Sequence, residues 1–268
     1  MSAPAMKRVL VLEDEVLLAL DGRAAPGVLG RLTGAWPAGG TTDLGLVMER
    51  VPGARDGWEI ATAACASEVD FSGEAHSLGE ALRSVHARLA DAFGTQARAG
   101  DALADTMEAR LDAALRQAPE LAPYSARVTA AFTALRGREL LVQRVHGDFH
   151  LGQTLANDAG WTIIDFEGEP AKTAAERRAF DSPWRDVAGM VRSFDYARSA
   201  HADPGSDAAR GWSTACEQAF LKGYTDAAPD LGVLRAYVLD KAVYEVLYEL
   251  RNRPSWVAIP LRALLESS

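Results

Sequence analysis

Two short apolar segments, each followed by an aspartate, most constrain what this chain can fold into. Residues 139–145 and 161–164 are rich in Leu, Val and Ile, which predicts β-strands. A turn signal, Asn-Asp-Ala-Gly at 157–160, precedes the second segment. Because each aspartate comes at or just beyond a strand end, the pattern predicts a rigid strand pair that presents Asp148 and Asp165 on loops.

The residues around these aspartates are typical of phosphoryl transfer. That reaction needs a carboxylate near the attacking hydroxyl and oxygen ligands that hold Mg²⁺ on the nucleotide phosphates. Asp148, Gln153 and Asp165 meet these three requirements. Either aspartate alone could equally cap a turn. The joint pattern, with His146 and Gly147 directly before Asp148, favours the catalytic interpretation.

The motif His-Gly-Asp-x-His-x-x-Gln, followed by Ile-Asp-Phe-Glu, resembles the aminoglycoside-phosphotransferase-like kinases. The residues of this motif are most similar to those of the actinobacterial maltokinases and the related glucosamine kinases. Three further blocks carry the same resemblance, at 51–59, 166–190 and 240–254. Together these motifs cover the chain from about residue 44 to the C-terminus, so the resemblance is far more specific than a single kinase-like motif.

The resemblance implies an α+β, protein-kinase-like fold with two unequal lobes. Residues 1–52 are expected to form a shortened N-lobe and hinge, and residues 53–268 a larger, mainly helical C-lobe that carries the catalytic-loop hairpin. Periodicity in the N-lobe predicts strands at 7–12 and 44–51 and a helix at 13–20. The helices predicted in the C-lobe are 74–93, 101–117, 125–135, 184–198, 207–225 and 232–251.

The resemblance also implies roles for the motif residues. Asp148 is expected to be the catalytic base that orients and deprotonates a sugar hydroxyl, while Gln153 and Asp165 hold Mg²⁺. Gln stands where the wider superfamily commonly has Asn, and its amide oxygen is still a hard ligand. His146 is expected to support the loop through hydrogen bonds, and His150 either to do the same or to contact the substrate.

The short N-lobe would have to bind ATP. In the family the hinge backbone receives the adenine, which places Glu49 and Val51 beside the base. A Lys–Glu ion pair usually lies behind the triphosphate, and Lys7 and Glu15 are the candidates here, although a surface Lys and a surface Glu would show the same spacing. No glycine-rich phosphate loop precedes Lys7. A truncated or inactive sugar-binding module of the same fold is therefore an alternative to an active kinase.

A polar and aromatic stripe on the predicted helix 232–251 is the expected sugar-binding face. Lys241, Tyr244, Glu245 and Tyr248 share one side of this helix. Hydrogen-bonding groups next to a ring suit a sugar, whereas a surface stripe with a Lys241–Glu245 ion pair is the alternative. The resemblance favours the sugar-binding interpretation. The candidate substrate residues are His150, Glu167, Lys241, Tyr244 and Glu245.

The expected reaction is ATP- and Mg²⁺-dependent phosphorylation of a sugar. Maltose, converted to maltose 1-phosphate at its anomeric hydroxyl, is the first prediction because of the motif wording. Glucosamine or another amino sugar is the alternative, since a carboxylate could pair with its ammonium group.

Charge and hydropathy exclude other classes of function. A net charge of −9 argues against a nucleic-acid partner. No run of about twenty apolar residues and no signal-peptide core occur, so no membrane contact is expected and a cytoplasmic location is predicted. The five histidines are scattered and the two cysteines distant, which does not indicate a zinc site. Cys65 and Cys216 are expected to be buried thiols.

Overall fold

The computed structural model describes residues 8–9, 16, 19–20, 24–35, 41–169 and 172–266. Its N-terminal part contains a three-stranded antiparallel sheet of order β1-β3-β2, formed by β1 (Arg8–Val9), β2 (Val28–Ala35) and β3 (Thr41–Met48). The Glu49 amide donates to the Gly27 carbonyl at 2.8 Å, which closes the end of the β2–β3 hairpin. The hairpin leads directly into the next part of the chain at residue 49.

The predictions for this region are partly confirmed. The strand expected at 44–51 is β3, which begins three residues earlier and ends at Met48. Residues 16, 19 and 20 are helical, within the helix expected at 13–20. The prediction missed β2, because its two glycines interrupt the alternation that would have marked a strand. The predicted division into lobes at residues 52 and 53 is still a prediction.

Helices form most of the remaining chain. They are α1 (Gly57–Ala66), α2 (Ser72–Phe93), α3 (Gly100–Leu115), α4 (Ser125–Thr133), α5 (Ala174–Arg178), α6 (Trp184–Ala197), α7 (Asp207–Tyr224), α8 (Leu231–Asn252) and α9 (Ala258–Glu266). The six helices predicted from periodicity are all present, and their ends differ from the predicted ones by no more than two residues. The helices α1, α5 and α9 were not predicted.

Two small antiparallel sheets complete the fold. One has the order β4-β7-β8, formed by β4 (Arg55–Asp56), β7 (Thr154–Asn157) and β8 (Gly160–Ile163). The other pairs β5 (Thr95–Ala99) with β6 (Glu139–Gln143). The predicted strands at 139–145 and 161–164 are therefore β6 and β8, and both lie next to the motif residues.

The core runs through the helical part and includes the side chains beneath the motif loops. Phe149, Phe166 and Phe194 are each at most 2% exposed. Cys65 and Cys216 are free and buried, as predicted. Among the described helices, none combines the length and the apolar character needed to cross a membrane.

Helices α2 and α7 cross at a pair of glycines. A Cβ atom added to Gly223 would lie 2.0 Å from the carbonyl oxygen of His76, and one added to Gly79 would lie 2.2 Å from that of Phe220. Both neighbours are backbone atoms, which cannot move without separating the helices. The crossing therefore requires residues without a Cβ.

This crossing predicts opposite effects for two substitutions on α7. Gly223→Ala should lower the free energy of unfolding by about 1–3 kcal/mol, as overpacking does. Gly211→Ala is the matched control, because nothing lies within 4 Å of its added Cβ. It should raise stability by about 0.5–1 kcal/mol through helix propensity. Urea unfolding followed by circular dichroism measures both values, and equal effects would contradict the close approach.

Candidate active site

The loop that follows β6 is held by one carboxylate on α6. Asp186 lies in the first turn of this helix and is 1% exposed. Its Oδ2 accepts a hydrogen bond from the His146 amide at 2.7 Å, and its Oδ1 accepts one from the Gly147 amide at 2.8 Å. The backbone directly before Asp148 is therefore fixed to α6.

Asp186 is in turn fixed by a histidine on α2. His86 Nε2 lies 2.9 Å from Asp186 Oδ2, and the Tyr224 hydroxyl lies 2.9 Å from the other ring nitrogen of His86. Burial raises the pKa of the Asp186 carboxyl, but the hydrogen bond and attraction of His86, together with the hydrogen bond from the Gly147 amide, outweigh the effect of burial. The pKa lies below its ordinary value, so the carboxylate stays ionised.

Two further residues on the same face of α6, Gly189 and Ser193, contact the later part of the loop. Ser193 accepts a hydrogen bond from the Leu151 amide at 3.1 Å. A Cβ on Gly189 would lie 2.3 Å from the Phe149 carbonyl oxygen, so the loop approaches the helix where only glycine fits. Asp186, Gly189 and Ser193 follow a spacing of three and four residues, which places them on one helix face. The loop thus lies along a template formed by α6.

His146 connects the two aspartate-bearing loops. Its Nε2 donates to the Ile164 carbonyl at 2.9 Å, and its Nδ1 accepts from the Asp148 amide at 3.3 Å. A carbonyl oxygen can only accept and an amide can only donate, so these partners fix the neutral Nε2–H tautomer. The ring therefore holds Asp148 at a constant distance from the segment that carries Asp165.

A lysine from α8 contacts Asp148. Lys241 Nζ donates to Asp148 Oδ1 at 3.2 Å, and the two side chains are 29% and 21% exposed. Burial raises the pKa of Asp148, but the charge of Lys241 and its hydrogen bond outweigh burial and bring the pKa below its ordinary value. The carboxylate is therefore ionised at neutral pH, as a catalytic base must be.

The β7–β8 hairpin brings Gln153 and Asp165 together. Thr154, the first residue of β7, pairs with Ile163, the last of β8, so the residues that flank the hairpin are neighbours. Gln153 Nε2 lies 3.0 Å from Asp165 Oδ2. Asp165 has a φ of 61°, a left-handed conformation that non-glycine residues rarely adopt and that is often found at functional sites.

This pair fits a magnesium site in chemical type. Rotation of the Gln153 amide by half a turn would put its oxygen beside the Asp165 carboxylate, giving two hard oxygen ligands. Within the part of the chain that the structure describes, no group of three or more His, Cys, Asp and Glu side chains is arranged to hold a metal. Mg²⁺ at this place would therefore take its other ligands from nucleotide phosphates and water.

The remaining motif residues lie close to these groups. His150 Nδ1 accepts from the Gly152 amide at 3.1 Å, and burial lowers the pKa of this histidine, which keeps its ring neutral. Burial and the nearby Asp165 charge raise the pKa of Glu167. Arg177 donates a hydrogen bond to the Glu167 backbone carbonyl at 3.1 Å, and its charge partly opposes the increase in the pKa of Glu167.

The polar stripe of α8 divides between contacts with two neighbouring elements. Lys241 pairs with Asp148, while Glu245, 8% exposed, pairs with Arg192 at 2.8 Å. The Lys241–Glu245 surface pair considered as an alternative is therefore replaced by these two contacts. Tyr244 and Tyr248 are 41% and 43% exposed and stack on each other with ring centroids 6.4 Å apart. Their exposed rings are the part of the stripe that a ligand can reach.

A cavity of about 620 Å³, called here the large cavity, opens beside Asp148. Aromatic rings and carboxylates line it together with the α8 stripe. Its principal lining residues are Trp58, Asp148, His150, Glu169, Tyr196, Lys241, Tyr244, Glu245, Tyr248, Glu249, Arg253 and Trp256. Rings for the apolar face of a sugar and polar groups for its hydroxyls are thus present in one place.

The predicted nucleotide-binding residues are placed only in part. Lys7 and Glu15 lie outside the described residues. Glu49 is exposed and Val51 half-buried in the segment after β3. Their assignment to adenine binding is still a prediction, as are the roles of the other site residues.

The sequence reasoning missed three residues that shape the site: Asp186, His86 and Ser193. Arg185, the residue before Asp186, pairs with Asp181 and Glu169, both at 3.1 Å. The helical spacing of Asp186, Gly189 and Ser193 was a signal that could have marked a face directed at the motif loop.

Comparison with known proteins places the chain among phosphotransferases. The model of the phosphotransferase enzyme family matches residues 5–237. The glucosamine kinase of Streptacidiphilus jiangxiensis is 32% identical over 248 residues, which is 81% of this chain and 56% of that protein. The glucosamine kinase of Mycolicibacterium smegmatis is 27% identical over 245 residues, 81% of this chain and 61% of that protein. The chain thus spans little more than half the length of these relatives.

Solved structures show the same fold. A glucosamine kinase in complex with glucosamine, ADP and inorganic phosphate has a TM-score of 0.83 at 27% identity, covering 97% of this chain and 75% of that one. A choline/ethanolamine kinase family protein from Mesorhizobium loti has a TM-score of 0.54 at 15% identity, a likeness of fold alone. These similarities confirm the predicted α+β, protein-kinase-like class and the predicted branch of the family.

The contact between Asp186 and the loop predicts the effect of Asp186→Asn. The amide replaces an acceptor oxygen with a donor that faces a buried N–H group. The free energy of unfolding should therefore fall by about 2–3 kcal/mol. Asp91→Asn, at an exposed position on α2, is the control and should change stability by less than about 0.5 kcal/mol.

The same substitution predicts a pH dependence. Because the folded-state pKa of Asp186 is depressed, its contribution is complete above the unfolded value of about 3.9 and is lost as the pH falls through the lower folded-state value. The difference in unfolding free energy between wild type and Asp186→Asn should shrink below about pH 4. A difference that stays constant down to about pH 3 would contradict the depressed pKa.

Proposed function

Because this chain belongs to the phosphotransferase enzyme family, we propose that it transfers a phosphoryl group from ATP to a hydroxyl of an amino sugar of the glucosamine type. Maltose was the first acceptor predicted, from the similarity of the motif residues to those of maltokinases. Both curated relatives are named glucosamine kinases, and a similar structure contains glucosamine. These similarities favour the amino-sugar alternative over maltose.

The observation that carries the proposal is the position of Asp148 at the edge of the large cavity. The carboxylate is fixed through the α6 template and ionised, and Lys241 contacts its Oδ1. Its Oδ2 is then the atom that would orient an acceptor hydroxyl and take its proton. A fixed carboxylate at hydrogen-bonding distance is the arrangement that general base catalysis requires.

The carboxylates of the large cavity support an acceptor that carries an ammonium group. Four line it, from Asp148, Glu169, Glu245 and Glu249, and their ion-pair partners are, in the same order, Lys241, Arg185 with Lys172, Arg192 and Arg253. A carboxylate oxygen outside these pairs can accept a charge-assisted hydrogen bond from an ammonium group. The exposed rings of Tyr244 and Tyr248 can lie against the apolar face of the sugar.

Gln153 and Asp165 are the residues that would hold Mg²⁺ on the ATP phosphates, where the ion would neutralise phosphate charge. The N-terminal sheet and the segment after β3 would hold the nucleotide. Glu49 and Val51 are proposed to lie beside the adenine. Lys7 and Glu15 are proposed as the ion pair behind the triphosphate.

An acceptor screen tests the proposed substrate class. Phosphorylation of glucosamine, maltose, glucose and an aminoglycoside would be measured by ADP release and by mass spectrometry of the product. Glucosamine should give the highest kcat/KM. Turnover confined to maltose or to the aminoglycoside would overturn the assignment to amino sugars of the glucosamine type.

Calorimetry distinguishes an active kinase from a kinase-like module that only binds sugar. The intact set of base and Mg²⁺ ligands favours the kinase, since sugar binding alone needs neither. Titration with Mg²⁺-ATP should give saturable binding. Sugar binding without any detectable nucleotide binding would instead support the module.

Two substitutions separate the base from the metal ligand. Asp148→Asn should lower kcat by about two to four orders of magnitude, because it removes the proton acceptor, while sugar affinity changes little. Asp165→Ala should instead weaken Mg²⁺-ATP binding. Asp158→Asn, in the exposed turn before β8, is the control for both. Retained turnover in Asp148→Asn would exclude Asp148 as the base.

A further inference from the structure

A second cavity, called here the small cavity, adjoins the large cavity at Asp148. It has a volume of about 280 Å³ and lies between α3, α8 and the chain from 169 to 185. Both cavities are lined by Asp148, Glu169, Lys241 and Tyr244. None of the site predictions assigned a role to this space.

Lys241 and Tyr244 lie at the boundary between the two cavities. Lys241 reaches from α8 to Asp148 at 3.2 Å, and Tyr244 lies near Glu169. Both Lys241 and Tyr244 are partly exposed and can change rotamer. Rotation of these two side chains would change the width of the boundary that the cavities share.

The charges of the small cavity disfavour an anion. Arg185 pairs with Asp181 and Glu169 at 3.1 Å, and Lys172 pairs with Glu169 at 3.3 Å. The cations of this wall are therefore already neutralised by carboxylates. A phosphate or sulfate would have to compete with these ion pairs.

Asp240 is the residue lining the small cavity that can accept hydrogen bonds from a ligand. Its side chain is 15% exposed and has one ion pair in the described structure, to the half-exposed Arg110 at 3.2 Å. Burial raises the pKa of the Asp240 carboxyl, although Arg110 and Arg185 oppose the increase. A carboxylate with so few partners beside a cavity can accept hydrogen bonds from hydroxyl or ammonium groups.

We propose that the small cavity is a subsite for a second ring of the acceptor, a six-membered ring bearing amino or hydroxyl groups and linked to the ring whose hydroxyl Asp148 activates. The proposal rests on the proposed function for the position of the reacting ring. The volume is near the lower end of that of small-molecule sites and suits one ring. The ring would donate hydrogen bonds to Asp240, and the linkage would pass between Lys241 and Tyr244.

The test compares a single ring with two linked rings. Glucosamine and a β-linked disaccharide of two glucosamines would be used with wild type and with Ala113→Leu, which fills the small cavity from α3. The disaccharide kcat/KM should fall by about tenfold or more in Ala113→Leu, while that of glucosamine stays within about twofold. Ala109→Leu, at an exposed position of the same helix, should change neither.

A second variant tests the proposed partner of the ring. Asp240→Asn keeps the side-chain volume and removes the charge. It should therefore lower kcat/KM for the disaccharide by about tenfold and leave kcat/KM for glucosamine within about twofold of wild type. Equal losses for both acceptors in Ala113→Leu or Asp240→Asn would overturn the subsite. A wild-type enzyme that phosphorylates glucosamine but neither binds nor phosphorylates the disaccharide would also overturn it, with the proposed function intact.

Calorimetry separates the subsite from the proposed function. If no sugar is phosphorylated but the disaccharide binds, and binds about tenfold more weakly only in Ala113→Leu and Asp240→Asn, the subsite is supported while the kinase assignment fails. Disaccharide binding that neither variant weakens would place the second ring elsewhere and overturn the subsite.

Discussion

The hydrogen bonds between the Asp186 carboxylate and the backbone amides of His146 and Gly147 determine the geometry of the candidate active site. They are buried, at 2.7 and 2.8 Å, and the acceptor is itself fixed by His86. A loop fixed at its backbone keeps its side chains in place without strain on the side chains themselves. The His146 ring then holds the segment before Asp165 through its hydrogen bond to the Ile164 carbonyl. One ionised group on α6 therefore positions both aspartates.

In the candidate site, the carboxylates are paired with cations that come from different helices. Lys241 comes from α8 to Asp148, whereas Arg192 of α6 neutralises Glu245. Each pair crosses between two helices or between a helix and a loop. Paired buried charges avoid the cost of an isolated ion and hold a defined geometry. The site therefore keeps several ionised groups next to a cavity that a neutral or cationic ligand can enter.

The sequence predicted features that depend on neighbouring residues, but it did not predict contacts between residues far apart in the chain. Asp148, Gln153 and Asp165 were found because strand ends and turn residues mark their loops within a few positions. Asp186 acts on residues 40 positions earlier, and Lys241 lies 93 positions after its partner. Such contacts arise only from helix packing, which periodicity cannot specify. Periodicity did find the five longest helices and α4, whereas α1 and β2 have patterns too weak to mark.

Under the proposed function, helix α8 would link acceptor choice to the position of Asp148. Lys241 and Tyr244 border both cavities and contact the two loops that carry Asp148 and Glu169. Any shift of this helix that enlarged one cavity would also move the cation away from Asp148. Its opposite face is closely packed through Leu239 and Val246, which opposes such a shift. If the proposed function holds, acceptor preference would best be altered through exposed side chains such as Tyr244 and Tyr248, because their replacement leaves the helix and Asp148 in place.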